Sequence, residues 1–505
     1  MQNRYDVVIV GGGSAGCAAA ERLSADPQRR VLLLEAGPDP DPVPEIIADA
    51  SMLRRLRQEW PYVEQYPTLR SIDGSTFNSL AGRIMGGGSS VNVMAAPRPT
   101  KRDLDAWAAR GNPDWSYDRL LPVLKGLESD QDFPDSAVHG FDGPLHIQRR
   151  SRLDTPMPNP VQALVDRAQG MGLPLCPDLN GPDPLGVCTC PFTIKDGRRQ
   201  STAVAYLRRA RERDNLHIVA DATVTSLRVD GRRVQQVLYV REGRVRTAIG
   251  DQVALSAGVY HSPQILLLSG IGPARELERL GIPVAHALNG VGENYQDHGV
   301  VVMQFEQPTQ FHHEWVMPGL SCFFMIKSDP GLPGGDFHIL MLWPNEMDGG
   351  RPVMPVSLHL LEQHNRGRVA LPSTDPRDQL IVDAGLLEHP DDIKAMTSAM
   401  QFVEQFVHHD SMEPCYGSLL HPGPKDDWAQ FARATHDSYH HGVGTCMMGP
   451  AEDRMGVVDQ RLQVHGMNNL WVADASIMPT IPHANTNLTA IMIGELVASF
   501  IEGCG

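Results

Sequence analysis

The sequence predicts an α/β protein in two parts: a Rossmann-like parallel sheet and a second region built on a mostly antiparallel sheet. Three observations carry this. "YDVVIV", a glycine turn, the helix-compatible "SAGCAAAERLSA" and the apolar run "RVLLLE" form a βαβ unit, and such a unit implies parallel strands. From residue 216 the chain turns strand-rich again. Between about 301 and 435, alternating stretches such as "PVSLHL" and "GRVAL" read as half-buried antiparallel strands.

In order along the chain, proline at positions 38, 40, 42 and 44 ends regular structure after the second strand, and "TPMPNP" at 155–160 does so again. "LHIVADATVTSLRVDGRRVQQVLYV" reads as strands turning at Asp230-Gly231, and "QVALSAG" as one more. No segment repeats at a solenoid period. The expected organisation is a nucleotide-binding domain over 1–300, with excursions near 41–71 and 101–194 that contribute to the substrate side. A substrate domain follows over 301–435, and 436–505 returns to the first domain.

The totals narrow the function. A chain of 505 residues needs more than one packing unit. Its net charge of −16 argues against nucleic acid, because phosphate binding needs clustered Lys and Arg. The densest basic stretch, "YLRRARER" at 206–213, reads as a solvated helix face. No apolar run approaches the ~18 residues of a membrane span. Eight cysteines without a CxxC give no disulfide or zinc framework, so a reducing cytoplasm is expected.

"GGGSAG" places Gly11, Gly13 and Gly16 as GxGxxG, between the first strand and its helix. Gly11 permits the tight turn, Gly13 lets backbone approach a pyrophosphate, and Gly16 lets helix and strand pack closely. Glu35 ends the second strand, where a carboxylate accepts bonds from ribose hydroxyls. Together these predict dinucleotide binding, without separating FAD from NAD.

Further stretches separate them. "AGRIMGGGSSVN" (81–92) is a second glycine loop without a triphosphate-loop ending, and "AGVYHSPQILLLSGIGP" (257–273) joins a strand to a helix. "NLWVADASIMPT" (469–480) brings a late strand to Asp474, followed by a helix from near Leu488. With "GVGENYQDH" (290–298) and "HGVGTCMMG" (441–449), these motifs, in this order, resemble the glucose-methanol-choline (GMC) family of FAD-dependent oxidoreductases. The resemblance implies a p-hydroxybenzoate-hydroxylase-like architecture, with FAD on the dinucleotide domain and a six-stranded sheet roofing the substrate.

Carried over residue by residue, it places Gly11, Gly13, Ser14, Ala15, Gly16 and Glu35 at the ADP part of FAD. Arg83, Gly86, Gly87, Ser90 and Asn92 would follow the pyrophosphate and flavin. Val224 would meet the adenine through its backbone, and Asp474, Ala475, Asn485 and Thr486 would complete the contacts. Some members bond FAD covalently through a histidine in the glycine loop, whereas here Val91 stands in that neighbourhood, so dissociable FAD is expected. Met85, Val259 and Tyr295 also depart from the pattern, with local effect.

"SYHHGVGTCMMG" (438–449) sets two histidines side by side. Removing hydride from an alcohol carbon requires the hydroxyl proton to leave as well. A histidine with an ordinary pKa near ~6.5 is largely neutral at pH 7 and suits that task. The resemblance implies that His441 is this base, beside flavin N5, and that Asn485 is its partner. His440 is a pocket-lining residue or a rival base, and His483 is a second possible partner. His436 and His440 are four apart, a zinc-like spacing, but no HExxH accompanies them and no metal is expected.

The reading is FAD-dependent oxidation of a primary or secondary alcohol to aldehyde or ketone, with electrons passed to oxygen, a quinone or a protein acceptor. A lyase of the same fold, cleaving cyanohydrins without net redox, is the alternative. His440, Phe323 and Trp343 are the candidate pocket residues, and Phe311, Trp315 and Phe324 add to an apolar, aromatic character. Glu314-Trp315 would offer a carboxylate–aromatic pair to a quaternary ammonium such as choline, though an exposed loop pair is the plainer reading.

Overall fold

The computed structural model describes residues 4–51, 61–70, 73–133, 136–149, 159–311, 323–341, 345–346, 350–423 and 425–503. Strand Arg4–Val10 pairs in parallel with Val31–Leu34 on one side and Arg244–Leu255 on the other. Leu216–Val219 extends the sheet beyond Val31–Leu34, and Leu470–Val472 closes its other edge, both in parallel. Val7 to Val10 and Val31 to Leu34 are all buried, which is why these strands read as continuous apolar runs and not as alternating ones.

Arg244–Leu255 changes partners midway. Its residues 244 to 248 pair antiparallel with Arg233–Arg241, and Ile249 to Leu255 pair in parallel with the first strand. The hairpin Thr223–Asp230 and Arg233–Arg241 is thereby welded to the nucleotide sheet, making seven strands. Helix Ser14–Leu23 packs against the final helix Asn487–Glu502 so closely that a Cβ on Gly494 would lie 2.2 Å from the Ala15 carbonyl oxygen.

The second large sheet has nine strands where six were expected. Four long strands, Gly299–Glu306, Pro352–Leu360, Phe337–Leu340 and Phe323–Ile326, run antiparallel at its centre. Pieces of two or three residues at 175–176, 186–188, 345–346, 419–421 and 437–438 make up the rest, too short for a period-2 pattern to reveal. One face packs on helix Pro390–Val407 through Val301, Phe324, Phe337, Ile339, Val356 and Leu358.

"GRVAL" does not belong to this sheet. Strand Arg368–Ala370 pairs with Ile381–Asp383, which joins the hairpin Val63–Leu69 and Thr76–Gly82 in a separate four-stranded sheet. Alternation announces a half-buried strand but does not name its partner. No helix among the described residues is long and apolar enough to cross a membrane.

Candidate active site

The first glycine turn is sterically fixed. Gly11 has φ 101°, and a Cβ there would lie 2.4 Å from the Ser256 carbonyl oxygen; one on Gly16 would lie 1.9 Å from that of Gly11. The second loop is set against it. Gly86 N donates to the Gly12 carbonyl at 2.7 Å, and a Cβ on Gly87 (φ 50°) would come 2.8 Å from Gly13 Cα. Only glycine permits this approach. Ser90 Oγ ties the loop by donating to the Met85 carbonyl at 2.7 Å.

Glu35 accepts from Gly12 N and Gly37 N, each at 2.7 Å. Burial outweighs those two donors and pushes its carboxyl up to about 7, so further donors would favour its ionised form. Ala222 N donates to the Glu35 carbonyl at 2.8 Å, which brings Val224 near, and the strand register slips after Val224. Arg83, exposed, reaches Thr223 Oγ1 at 3.4 Å.

Two helix starts meet here. Ser14 Oγ donates to Asn487 Oδ1 at 2.7 Å, and neither helix carries an acidic residue in its first turn. Gly13, Ser14, Ala475 and Thr486 are half-buried, whereas Ala15 is buried and packs against the final helix. The Asp474 carboxylate is engaged within the protein. Its oxygens accept from Gly258 N at 2.9 Å, Ser262 Oγ and Ser476 N at 2.8 Å, so it fixes the turn that carries Ala475.

These residues fit a dinucleotide. Two unopposed helix N-termini suit a pyrophosphate, and glycine backbone lies where it must approach. The Arg199 guanidinium, buried without a carboxylate and depressed to about 9 by that burial, donates to the Ser89 and Asn92 carbonyls and to Asn92 Oδ1.

His441 is held from both sides. Its Nε2 lies 3.0 Å from Asn485 Nδ2, and its Nδ1 lies 2.9 Å from His298 Nδ1. Its backbone N–H donates to Asp297 at 3.0 Å, and Asp297 also accepts from His298 N and Ser438 Oγ. Burial raises Asp297 to about 6 despite these donors. A Cβ on Gly442 would come 2.8 Å from the Tyr295 hydroxyl, so glycine follows His441 for want of space.

The hydrogen bonds fix the protons. His298 Nε2 is 3.0 Å from the Pro482 carbonyl, which accepts only, so that nitrogen carries a proton. Burial, reinforced by His338 and His483, holds His298 down to about 3, so the ring is neutral and its Nδ1 is bare. A bare Nδ1 requires His441 Nδ1–H as donor. His441 is itself kept neutral, well below its ordinary range, by burial and by His298 and His359. Its Nε2 therefore presents the lone pair, and Asn485 donates to it.

The other histidines divide. His440 (φ 62°) is exposed and its Nδ1 accepts from Leu80 N at 3.3 Å, so it stands beside His441 without joining its hydrogen bonds. Burial opposes a charge on His483, but its contact with Asp103, Nδ1 to Oδ1 at 2.5 Å, raises it to about 9. Of the two candidate partners, the structure brings Asn485 to His441 and assigns His483 to Asp103. His436 bonds the Arg433 carbonyl at 2.8 Å, apart from His440.

Phe323 and Phe324 do not share a face. Phe323 is fully buried and lies edge-on to His338, with ring centroids 5.4 Å apart. Phe324 and Phe311 belong to the apolar core on the opposite face, because neighbours on a strand point to opposite sides. Trp343, Trp315 and Glu314 lie outside the described residues.

Sequence reasoning missed several residues. Asp297 and His298 lie inside the quoted "GVGENYQDH" without a role having been given to them, and the ring of Tyr439 packs 4.2 Å from that of His441. His338 and His359 are single histidines in "FHIL" and "SLHL", visible only once the strand faces are known. Among the described residues one group has metal-ligand spacing: Glu128, Asp130 and His139. Arg98 pairs with Glu128, and Arg149 with Asp130 and Asp178. Asp132 lies 3.4 Å from Arg149 as well, so with His139 protonated these carboxylates are already met by the protein's own three cations.

A parallel sheet with two glycine loops and two helix starts, facing a neutral imidazole paired with a carboxamide, defines a dinucleotide-dependent oxidoreductase. The chain belongs to the GMC oxidoreductase family: the family's N-terminal profile matches residues 5–300 and its C-terminal profile residues 363–494. It is an FAD-dependent enzyme acting on CH–OH groups. It is 33% identical to human "Choline dehydrogenase, mitochondrial" over 99% of this chain and 90% of that protein. It is also 33% identical to "Alcohol dehydrogenase [acceptor]" of Pseudomonas putida, over 98% and 95%. The structure of pyridoxine 4-oxidase from "Mesorbium loti" superposes with a TM-score of 0.89 at 28% identity, covering 98% of each chain.

Proposed function

We propose that the enzyme oxidises a primary or secondary alcohol to the aldehyde or ketone, with His441 Nε2 taking the hydroxyl proton and Asn485 anchoring the oxygen. The relay from the Pro482 carbonyl through His298 carries this reading, since it leaves His441 a lone pair on the nitrogen that faces Asn485. When the hydroxyl engages that lone pair, the Asn485 amide N–H is released to donate to the substrate oxygen. Asp297 fixes the loop through the His441 amide. FAD, when bound, supplies the hydride acceptor.

In the same reading Gly11, Gly13, Ser14 and Gly16 cradle the pyrophosphate, and Glu35 takes the ribose. The loop at 83–92, Val224, Ala475 and Thr486 complete the cradle. The parallel sheet serves the cofactor, and the nine-stranded sheet serves the substrate. Oxygen and other acceptors both stay within the proposal, because relatives include "Choline oxidase" and "Alcohol dehydrogenase [acceptor]".

His441→Ala tests it. The variant should remain yellow, and its anaerobic bleaching by a substrate alcohol should slow by about 10²–10⁴, the usual contribution of a positioned base. Unchanged bleaching would remove His441 from the mechanism.

A further inference from the structure

The face of the nine-stranded sheet turned away from helix Pro390–Val407 carries Phe323, Met325, His338, Leu340 and His359 by strict alternation. His338 stands directly opposite His359 across paired strands, and Met325 opposite His338. The two imidazoles are 0% and 3% exposed, and none of their four ring nitrogens has a hydrogen-bond partner among the described residues. Burying polar atoms unpaired is unfavourable, and the other face of the same strands is filled with apolar side chains. Packing alone does not call for imidazole at either position.

Both rings belong to the surroundings of the base. The His359 ring lies 3.8 Å from that of Tyr439, which lies 4.2 Å from that of His441. Asn485 Oδ1 and the Tyr439 hydroxyl are likewise buried without a hydrogen-bond partner among the described residues. Four side chains around His441 therefore hold unused hydrogen-bonding atoms, both donors and acceptors.

Among the described residues, the buried carboxylates packed around this face are engaged: Asp297 with Ser438, Asp103 with His483, and Asp336 with Ser328. Glu362 is half-exposed, 3.8 Å from His483. Burial also holds His298, His338, His359 and His441 below their ordinary range, and the imidazolium of His483 is kept against burial by Asp103, so a substrate cation with no carboxylate of its own is disfavoured here.

We infer that the substrate is an uncharged alcohol with a second hydrogen-bonding group, such as a hydroxyl or a heteroaromatic nitrogen, remote from the carbinol and received by His338 and His359. A quaternary ammonium alcohol should be the poorer substrate for these rings, in contrast to what the names of several relatives suggest. This rests on the alcohol oxidation proposed above and deepens it.

The test is anaerobic bleaching of the FAD-bound enzyme by four alcohols: choline, its uncharged isostere with carbon in place of nitrogen, benzyl alcohol and meta-hydroxybenzyl alcohol. The isostere should exceed choline at least tenfold in kcat/KM, and the hydroxylated ring should exceed benzyl alcohol. In His338→Phe and His359→Phe, chosen for retained yellow colour, the second preference should shrink at least tenfold, mainly through KM. The choline comparison needs no variant and stands if both fail to fold. Choline bleaching faster than its isostere, or a hydroxyl preference unchanged in both variants, would overturn the inference and leave alcohol oxidation intact. No bleaching by any of the four would overturn both.

Discussion

His298 and His441 meet through their Nδ1 atoms at 2.9 Å, and the Pro482 carbonyl beyond His298 decides which of the two carries the shared proton. Removing this arrangement should cost rate without costing cofactor. His298→Ala is expected to stay yellow and to be reduced by substrate between about tenfold and about 10⁴-fold more slowly, the upper figure being the loss seen when a triad histidine is left in the wrong tautomer. A rate equal to that of the unmodified enzyme would show that His441 orients itself.

The pH profile follows from the same pair. Burial and the neighbouring imidazoles keep His441 well below the ordinary histidine range, so its protonated, inactive form is populated only at lower pH. The rate of anaerobic reduction should be flat from about pH 6.5 upward and fall only in more acid solution. A sigmoidal rise centred near pH ~6.5 or above would contradict this environment.

Stability carries a second titration. Burial opposes a charge on His139, but Asp178 and Glu128 raise it to about 9, and the ring is fully buried. A raised pKa stabilises the fold fully below the unfolded value of ~6.5, and that contribution is lost as pH climbs through about 9, on the order of 3 kcal/mol in all. Tm should therefore drop more steeply between pH 7 and 10 in the unmodified protein than in His139→Gln, which should melt lower at pH 7. Parallel curves would remove His139 from the account.

FAD is expected to be released on unfolding, since Val91 offers no atom for a covalent link. Heating or acid precipitation followed by filtration should leave a yellow filtrate and a colourless pellet. Colour retained in the pellet would point to a bond elsewhere.

What the sequence disclosed follows the reach of each interaction. The glycine turn, Glu35 and the helix from Asn487 were legible because backbone conformation and local approach dictate residue type at fixed spacing. His441 and Asn485 became legible through the order of several motifs, and the structure brings them within 3.0 Å. His338 and His359 stayed hidden because a histidine in a strand reports nothing until the face it shares is known. The strand Arg368–Ala370 was misplaced for the same reason, since the sheet it edges is completed, through Ile381–Asp383, by the distant hairpin at 63–82.

The contact of Gly494 with Ala15 joins the two ends of the chain, and Asn487 closes on Ser14 from the last helix. A ribosome finishes the first glycine turn hundreds of residues before it makes the segment that completes the cradle. A cradle that uses both helix starts is consequently incomplete until residue 487 has been made, so a nascent chain cut short ahead of it should fail to retain flavin.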